Sequence, residues 1–157
     1  PWHIQHIPEF LSTYPKACFV FIHRNPTEVI PSISSLSAHL RFGFSKHVDK
    51  NEIGLNSVSF WSHAMEKCLM DRAQIPENQR FDIHFADLVS DPMRQVRQIY
   101  SHFGLELTEE NKDNMHHFLT EAAANKTLSH KYTLEEFGLT EKQVGERFKE
   151  YTTQFDL

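Results

Sequence analysis

The sequence predicts an α/β chain, a parallel sheet flanked by helices, with its sheet incomplete at the N-terminal side of the 157 residues. Three observations carry that class. The run Cys18 to Ile22 is short and continuously apolar, as in a strand buried on both faces of a parallel sheet rather than one alternating in and out. Arg80-Phe81-Asp82-Ile83-His84-Phe85 alternates apolar and polar residues and reads as a second strand, nearer the sheet edge. Two strands against five or six helices leave the sheet short, so further strands are expected upstream of Pro1, and residues 1–157 are expected to form the C-terminal portion of a single domain.

In chain order, Trp2, Ile4, Ile7, Phe10 and Leu11 predict a short helix leading into the first strand, with Pro8 limiting its regularity. The first strand turns directly into a helix. Asn25 is a good N-cap and Pro26 suits the first helical position, so a helix is expected over 26–41 with Val29, Ile30, Ile33, Leu36 and Leu40 as its core stripe. Pro31 falls early in it, where a lost N–H bond does least harm. From Arg41 to Asn56 the periodicity fades into Gly, Ser, Lys, His, Asp and Asn, a stretch expected to be a lid, a substrate loop or a plain linker.

A long helix is predicted from Leu55 to Ala73, with Val58, Trp61, Met65, Cys68 and Leu69 on one face and Pro76-Glu77-Asn78 closing it. After the second strand, Asp91-Pro92 repeats the cap-then-proline start and opens a helix over 92–103, with Val96, Ile99, Tyr100 and Phe103 inward and Gly104 as its stop. Another helix is predicted from Thr108 to Ala124. Thr133-Leu134-Glu135-Glu136 and Thr140-Glu141-Lys142-Gln143 both match the capping-box pattern and predict two more helix starts.

Composition fits one domain of ordinary size: 39% of residues are hydrophobic and 13 are Phe, enough for a sizeable core. A net charge of −5 argues against a general nucleic-acid binder, so a phosphate site has to be a local concentration of cations. Arg24, Arg41, Lys46, His47 and Lys50 form one such concentration in sequence. Cys18 and Cys68 lack metal or redox spacing and read as core residues. His3 and His6 share a spacing that suits a metal, yet no acidic or cysteine partner follows nearby. No membrane segment or signal peptide is visible, and the compartment is not readable. The chain starts at Pro1 and reads as a piece of a longer protein.

The functional expectation centres on Arg24. A cation beside a helix N-terminus at the carboxyl end of a parallel strand is where open α/β sheets hold anions. Helical N–H groups are expected to point over the strand end, with the Ser32 hydroxyl about two turns on. The alternative is a surface arginine after a core strand.

These residues also carry a resemblance. Tyr14 to Pro26, followed by Val29 and Ser32, resembles the strand, loop and helix with which sulfotransferases grip the 3′-phosphate of their donor, 3′-phosphoadenosine 5′-phosphosulfate. Phe85-Ala86-Asp87-Leu88-Val89-Ser90-Asp91-Pro92 resembles the family's Tyr-Glu-Asp-Leu stretch ending in Asp-Pro, and Trp61 matches a recurrent aromatic position. His130 to Leu139 resembles the C-terminal block of the broader, often bacterial-type branch. Together they cover nearly the whole chain in the right order.

The resemblance implies a P-loop-NTPase-like fold and roles residue by residue. Arg24 and Ser32 would bind the 3′-phosphate, Lys131, with His130, would add a cation near it, and Phe85, in place of the usual Tyr, would pack on the adenine without hydrogen-bonding to it. His3, in a Pro-x-His context, would be the base for the acceptor hydroxyl; a packing or capping role is the alternative. The reaction implied is sulfuryl transfer to a hydroxyl or amine on a small molecule or glycan, and it requires no metal. The family's phosphosulfate loop with Lys, Ser, Gly and Thr is not among these residues, so this stretch alone is expected to be inactive. A P-loop kinase-like phosphotransferase and a non-catalytic binding domain remain alternatives.

Overall fold

The structure, a computed structural model, describes residues 2–124 and 132–157. In chain order the elements are a 3₁₀ turn (Trp2–Gln5), α1 (Ile7–Thr13), β1 (Phe19–His23), α2 (Pro26–Phe42), α3 (Lys50–Asp71), β2 (Arg80–His84), α4 (Phe85–Ser90), α5 (Pro92–His102), α6 (Glu109–Ala124), a 3₁₀ turn (Glu135–Phe137), α7 (Glu141–Arg147) and α8 (Lys149–Phe155). The described residues fall into two compact units, one of 2–15, 24–74 and 132–157, the other of 16–23 and 75–124. No helix among the described residues is long and apolar enough to cross a membrane.

The first unit is built on α2 and α3, which pack together around Ile30, Ala38, Ile53 and Val58, with Phe137, Val144, Phe148 and Tyr151 closing the same core. Each fully buried side chain of this size contributes about 1.5–3 kcal/mol. The buried row of α2 is Pro26, Ile30, Ser34 and Ala38, at i, i+4, i+8 and i+12. This corrects the expected stripe: Leu36 and Leu40 are 58% and 59% exposed. Ser34 and Ala38 are small, and small side chains let two helix backbones approach.

Helix α3 begins at Lys50, not Leu55, because Asp49 Oδ1 accepts from Asn51 N at 2.8 Å and Glu52 N at 3.3 Å. The expected long loop therefore shrinks to residues 43–49. Gly54 lies inside the helix because Phe137 O occupies the space a side chain would need. At the far end Arg72, 7% exposed, sits 4.8 Å over the Phe155 ring and ties the end of α3 to α8. Thr140 makes the complete capping box with Gln143. Thr133 does not open an α-helix. It bonds Glu136 N at 3.4 Å, and Gly138 at φ +65° ends a single 3₁₀ turn.

In the second unit β1 and β2 pair in parallel, from Phe19 opposite Arg80 to His23 opposite His84, as expected of the α/β class. The strand runs one residue later than Cys18–Ile22. Cys18 precedes it and is exposed, whereas Cys68 in the first unit is buried. Despite the unbroken apolar run, β1 alternates: Val20 and Ile22 are 39% and 52% exposed, while Phe19, Phe21 and His23 turn inward. The period-2 pleat sends alternate residues to opposite faces whatever their chemistry, so the expected burial on both faces does not hold here.

The second strand stops at His84 rather than running on through Phe85 as expected, and Phe85–Ser90 form the short helix α4. Asp91 Oδ1 then accepts from Arg94 N at 2.9 Å to cap α5, and Gly104 at φ +64° terminates it, both as expected. Its buried residues are Met93 and Gln95, with Val96, Ile99, Tyr100 and Phe103 only half-buried. Thr108 Oγ1 accepts from Asn111 N at 3.2 Å where α6 starts.

Candidate functional site

Arg24 follows the last residue of β1, and α2 starts two residues later. The helix start is more self-contained than the sequence implies. Asn25 Oδ1 accepts from Thr27 N at 3.0 Å and from the Thr27 hydroxyl at 2.8 Å; Asn25 O accepts from Glu28 N and Val29 N; Pro26 has no N–H. The expected row of free amides is therefore already spent on Asn25. The helix still carries the positive end of its macrodipole there, but an anion at this point depends on side chains for hydrogen bonds.

Those side chains are Arg24 and Ser32. The Arg24 side chain is 40% exposed and extends along the first turn of α2, where its Nε donates to Glu28 Oε2 at 2.9 Å. Ser32, half-buried, is four residues beyond Glu28 and so shares its face of the helix. About 9 Å of helix axis separates Pro26 from Ser32, a span the arginine covers in part by lying along the first turn. A cation, a carboxylate that holds it, and a hydroxyl thus follow one another along one face. That donor set fits a phosphate: a guanidinium forks onto its oxygens and a hydroxyl donates to another.

His3 lies in the opening 3₁₀ turn and is exposed, its ring 5.7 Å from Phe10. Its neighbour Trp2 meets Phe60 at 5.3 Å and Trp61 at 6.0 Å, an aromatic group belonging to the same unit. An exposed imidazole can receive a proton from an incoming substrate. His6, also exposed, faces Glu9 at 4.0 Å.

Phe85 is the first residue of α4, directly after β2, and is half-buried in the second unit. Lys131 and His130 lie outside the described residues. The basic concentration read from sequence is partly answered by carboxylates, since Arg41 Nη1 is 3.5 Å from Glu52 Oε1 and Lys50 Nζ 3.8 Å from Glu136 Oε2.

One pair was not anticipated. His23 closes β1, is 5% exposed, and donates from Nε2 to Asp82 Oδ1 at 2.7 Å. The sequence signal was Asp82 itself, because aspartate is depleted inside strands and needs a reason to be there.

Comparison with known proteins follows the same lines. The family described as "Sulfotransferase family" matches residues 1–109. Two curated relatives, both omega-hydroxy-beta-dihydromenaquinone-9 sulfotransferase Stf3, from Mycobacterium bovis and Mycobacterium tuberculosis, are each 27% identical over 152 residues, covering 96% of this chain and 39% of theirs. Among solved structures, sulfotransferase STF1 from Mycobacterium tuberculosis is 34% identical with a TM-score of 0.79, covering 94% of this chain and 37% of its own. Sulfotransferase STF9 from Mycobacterium avium is 26% identical with a TM-score of 0.88, covering 100% of this chain and 41% of its own. The chain spans about two fifths of the length of the proteins it matches. These neighbours share the P-loop-like α/β fold that the family resemblance implies.

Proposed function

The chain belongs to the sulfotransferase family, and from that premise we propose that the protein carrying it moves a sulfuryl group from 3′-phosphoadenosine 5′-phosphosulfate to an acceptor hydroxyl or amine. The observation that carries the reading is Arg24, directly after β1 and bonded to Glu28 in the first turn of α2, with Ser32 one turn further on the same helix face.

When bound, the donor supplies the sulfuryl group and leaves as adenosine 3′,5′-bisphosphate. Arg24 holds the 3′-phosphate through charge-assisted hydrogen bonds, and the Ser32 hydroxyl donates to the same group. Phe85 offers its ring to the adenine face, without the hydroxyl that a tyrosine would bring. Lys131 adds a second cation for the phosphate. A ring nitrogen of His3 takes the proton of the acceptor hydroxyl as the oxygen forms its bond to sulfur and the bond from sulfur to the bridging phosphate oxygen breaks. That proton transfer needs no metal. The relatives named Stf3 are named for a hydroxylated dihydromenaquinone, which supports a hydroxyl as the acceptor group in this reading.

Calorimetric titration of the intact protein with adenosine 3′,5′-bisphosphate, beside its Arg24→Ala variant, tests the proposal. Binding that the variant loses and that 5′-AMP does not reproduce is expected. An intact protein that ignores the bisphosphate, or binds both nucleotides alike, overturns it.

A further inference from the structure

The His23–Asp82 bond is diagonal. The ladder places His23 opposite His84 and Phe21 opposite Asp82, so the imidazole at the end of β1 reaches back by two residues to the middle of β2. Asp82 keeps 39% of its side chain in water while His23 keeps 5%. The Phe21 ring lies nearly parallel to the imidazole, at 6.4 Å and 9°, and the His84 ring meets it edgewise at 6.4 Å. The ring is therefore held in position by its packing and oriented by a short hydrogen bond to a carboxylate.

A sheet does not need this pair for stability. Desolvating a histidine and half-burying an aspartate offsets much of what their attraction returns, and two apolar residues would hold the strands as well. What the pair adds is register at one place, the carboxyl end of the ladder. Arg24, assigned above to the donor's 3′-phosphate, is the residue after His23 and so leaves the sheet within one peptide bond of this clamp.

We infer that His23, held by Asp82, is a positioning residue for donor binding: the bond fixes the carboxyl end of β1, to which Arg24 is joined by one peptide bond. The inference rests on the donor reading above, and it concerns discrimination. A misplaced strand end weakens the contact to the 3′-phosphate more than it weakens nucleotide binding as a whole.

The test titrates the intact protein, and its Asp82→Ala, His23→Leu and His23→Gln variants, with adenosine 3′,5′-bisphosphate and with 5′-AMP. The readout is the ratio of the two dissociation constants. Asp82→Ala and His23→Leu are expected to cut the preference for the bisphosphate by about tenfold, the scale of one charge-assisted hydrogen bond. His23→Gln, whose amide nitrogen stands in for Nε2, is expected to keep it within about twofold. Should His23→Leu not fold, Asp82→Ala decides alone, since its side chain is partly exposed. Equal weakening of both nucleotides, or an unchanged ratio in Asp82→Ala, overturns the inference and leaves the donor reading standing. A wild-type protein with no preference for the bisphosphate removes the donor reading, and this inference with it.

Discussion

Arg24 Nε donates to Glu28 Oε2 at 2.9 Å, so the cation assigned to the donor's 3′-phosphate, which precedes α2, is held by a carboxylate in that helix's first turn. Both side chains are well exposed, at 40% and 60%, and such a pair is worth about 0.2–1 kcal/mol. A phosphate dianion brings more charge than Glu28 and competes with it for the guanidinium. Replacing Glu28 with Gln removes the repulsion and keeps an acceptor for Nε. Bisphosphate binding by Glu28→Gln is expected to tighten roughly 2–5-fold at low salt, with a smaller gain at high salt as screening sets in. A tenfold loss in calorimetry would show instead that the carboxylate charge aligns Arg24.

Exposure makes His3 a clean position to test. Its ring touches Phe10 but supports no core, so His3→Ala is expected to leave thermal unfolding and bisphosphate affinity unchanged. Loss of a general base costs about 10²–10⁴ in rate. Steady-state kinetics of the intact protein should therefore show kcat falling by that factor. A variant with normal kcat would assign the proton to another group and return His3 to the capping role.

Local chemistry was legible where one side chain decides the outcome. Asn25, Asp91 and Thr140 each cap the helix that the sequence placed after them, and Gly104 ends α5 with a positive φ. Arg24 at a strand end and Ser32 on the following helix were legible for the same reason. Features set by distant packing were not. Residues 50–54 look like loop, yet Asp49 caps them and the Phe137 turn packs on Gly54, so α3 starts early. The buried face of α2 follows from how near α3 lies, which favours Ser34 and Ala38 over the larger Leu36 and Leu40. The His23–Asp82 bond needs the register of two strands nearly sixty residues apart, and no local pattern contains it.

Gly54 gives the sharpest packing prediction. A Cβ there would lie 2.3 Å from Phe137 O and 2.9 Å from Phe137 Cβ, both fixed parts of the turn that closes the first unit's core. Alanine is otherwise the better helix residue by about 0.8–1.0 kcal/mol. The clash is expected to win, because overpacking a well-filled interior costs about 1–3 kcal/mol and this obstacle is backbone. Gly54→Ala should lower the denaturant midpoint, whereas Gly145→Ala, with no atom within 4 Å of its new Cβ, should raise it or leave it unchanged.

The two Thr-x-x-Glu/Gln patterns near the end of the chain separate on the same measurement. At Thr140 the box is complete: Thr140 Oγ1 accepts from Gln143 N at 3.2 Å and Gln143 Oε1 accepts from Thr140 N at 2.9 Å. It starts α7 just before Val144, which is wholly buried in the first unit's core. At Thr133 one bond of 3.4 Å serves a 3₁₀ turn that ends at Phe137, four residues later. Removing a cap that begins a core-packed helix costs about 0.5–2 kcal/mol, while an exposed substitution away from such a feature stays within about 0.5 kcal/mol. Thr140→Ala is therefore expected to shift the urea midpoint down at constant slope, and Thr133→Ala to leave it in place. Equal shifts in the two variants would mean that Thr133 fixes the Leu134–Phe137 turn as firmly as Thr140 fixes its helix, and that the reciprocal bond to Gln143 adds nothing.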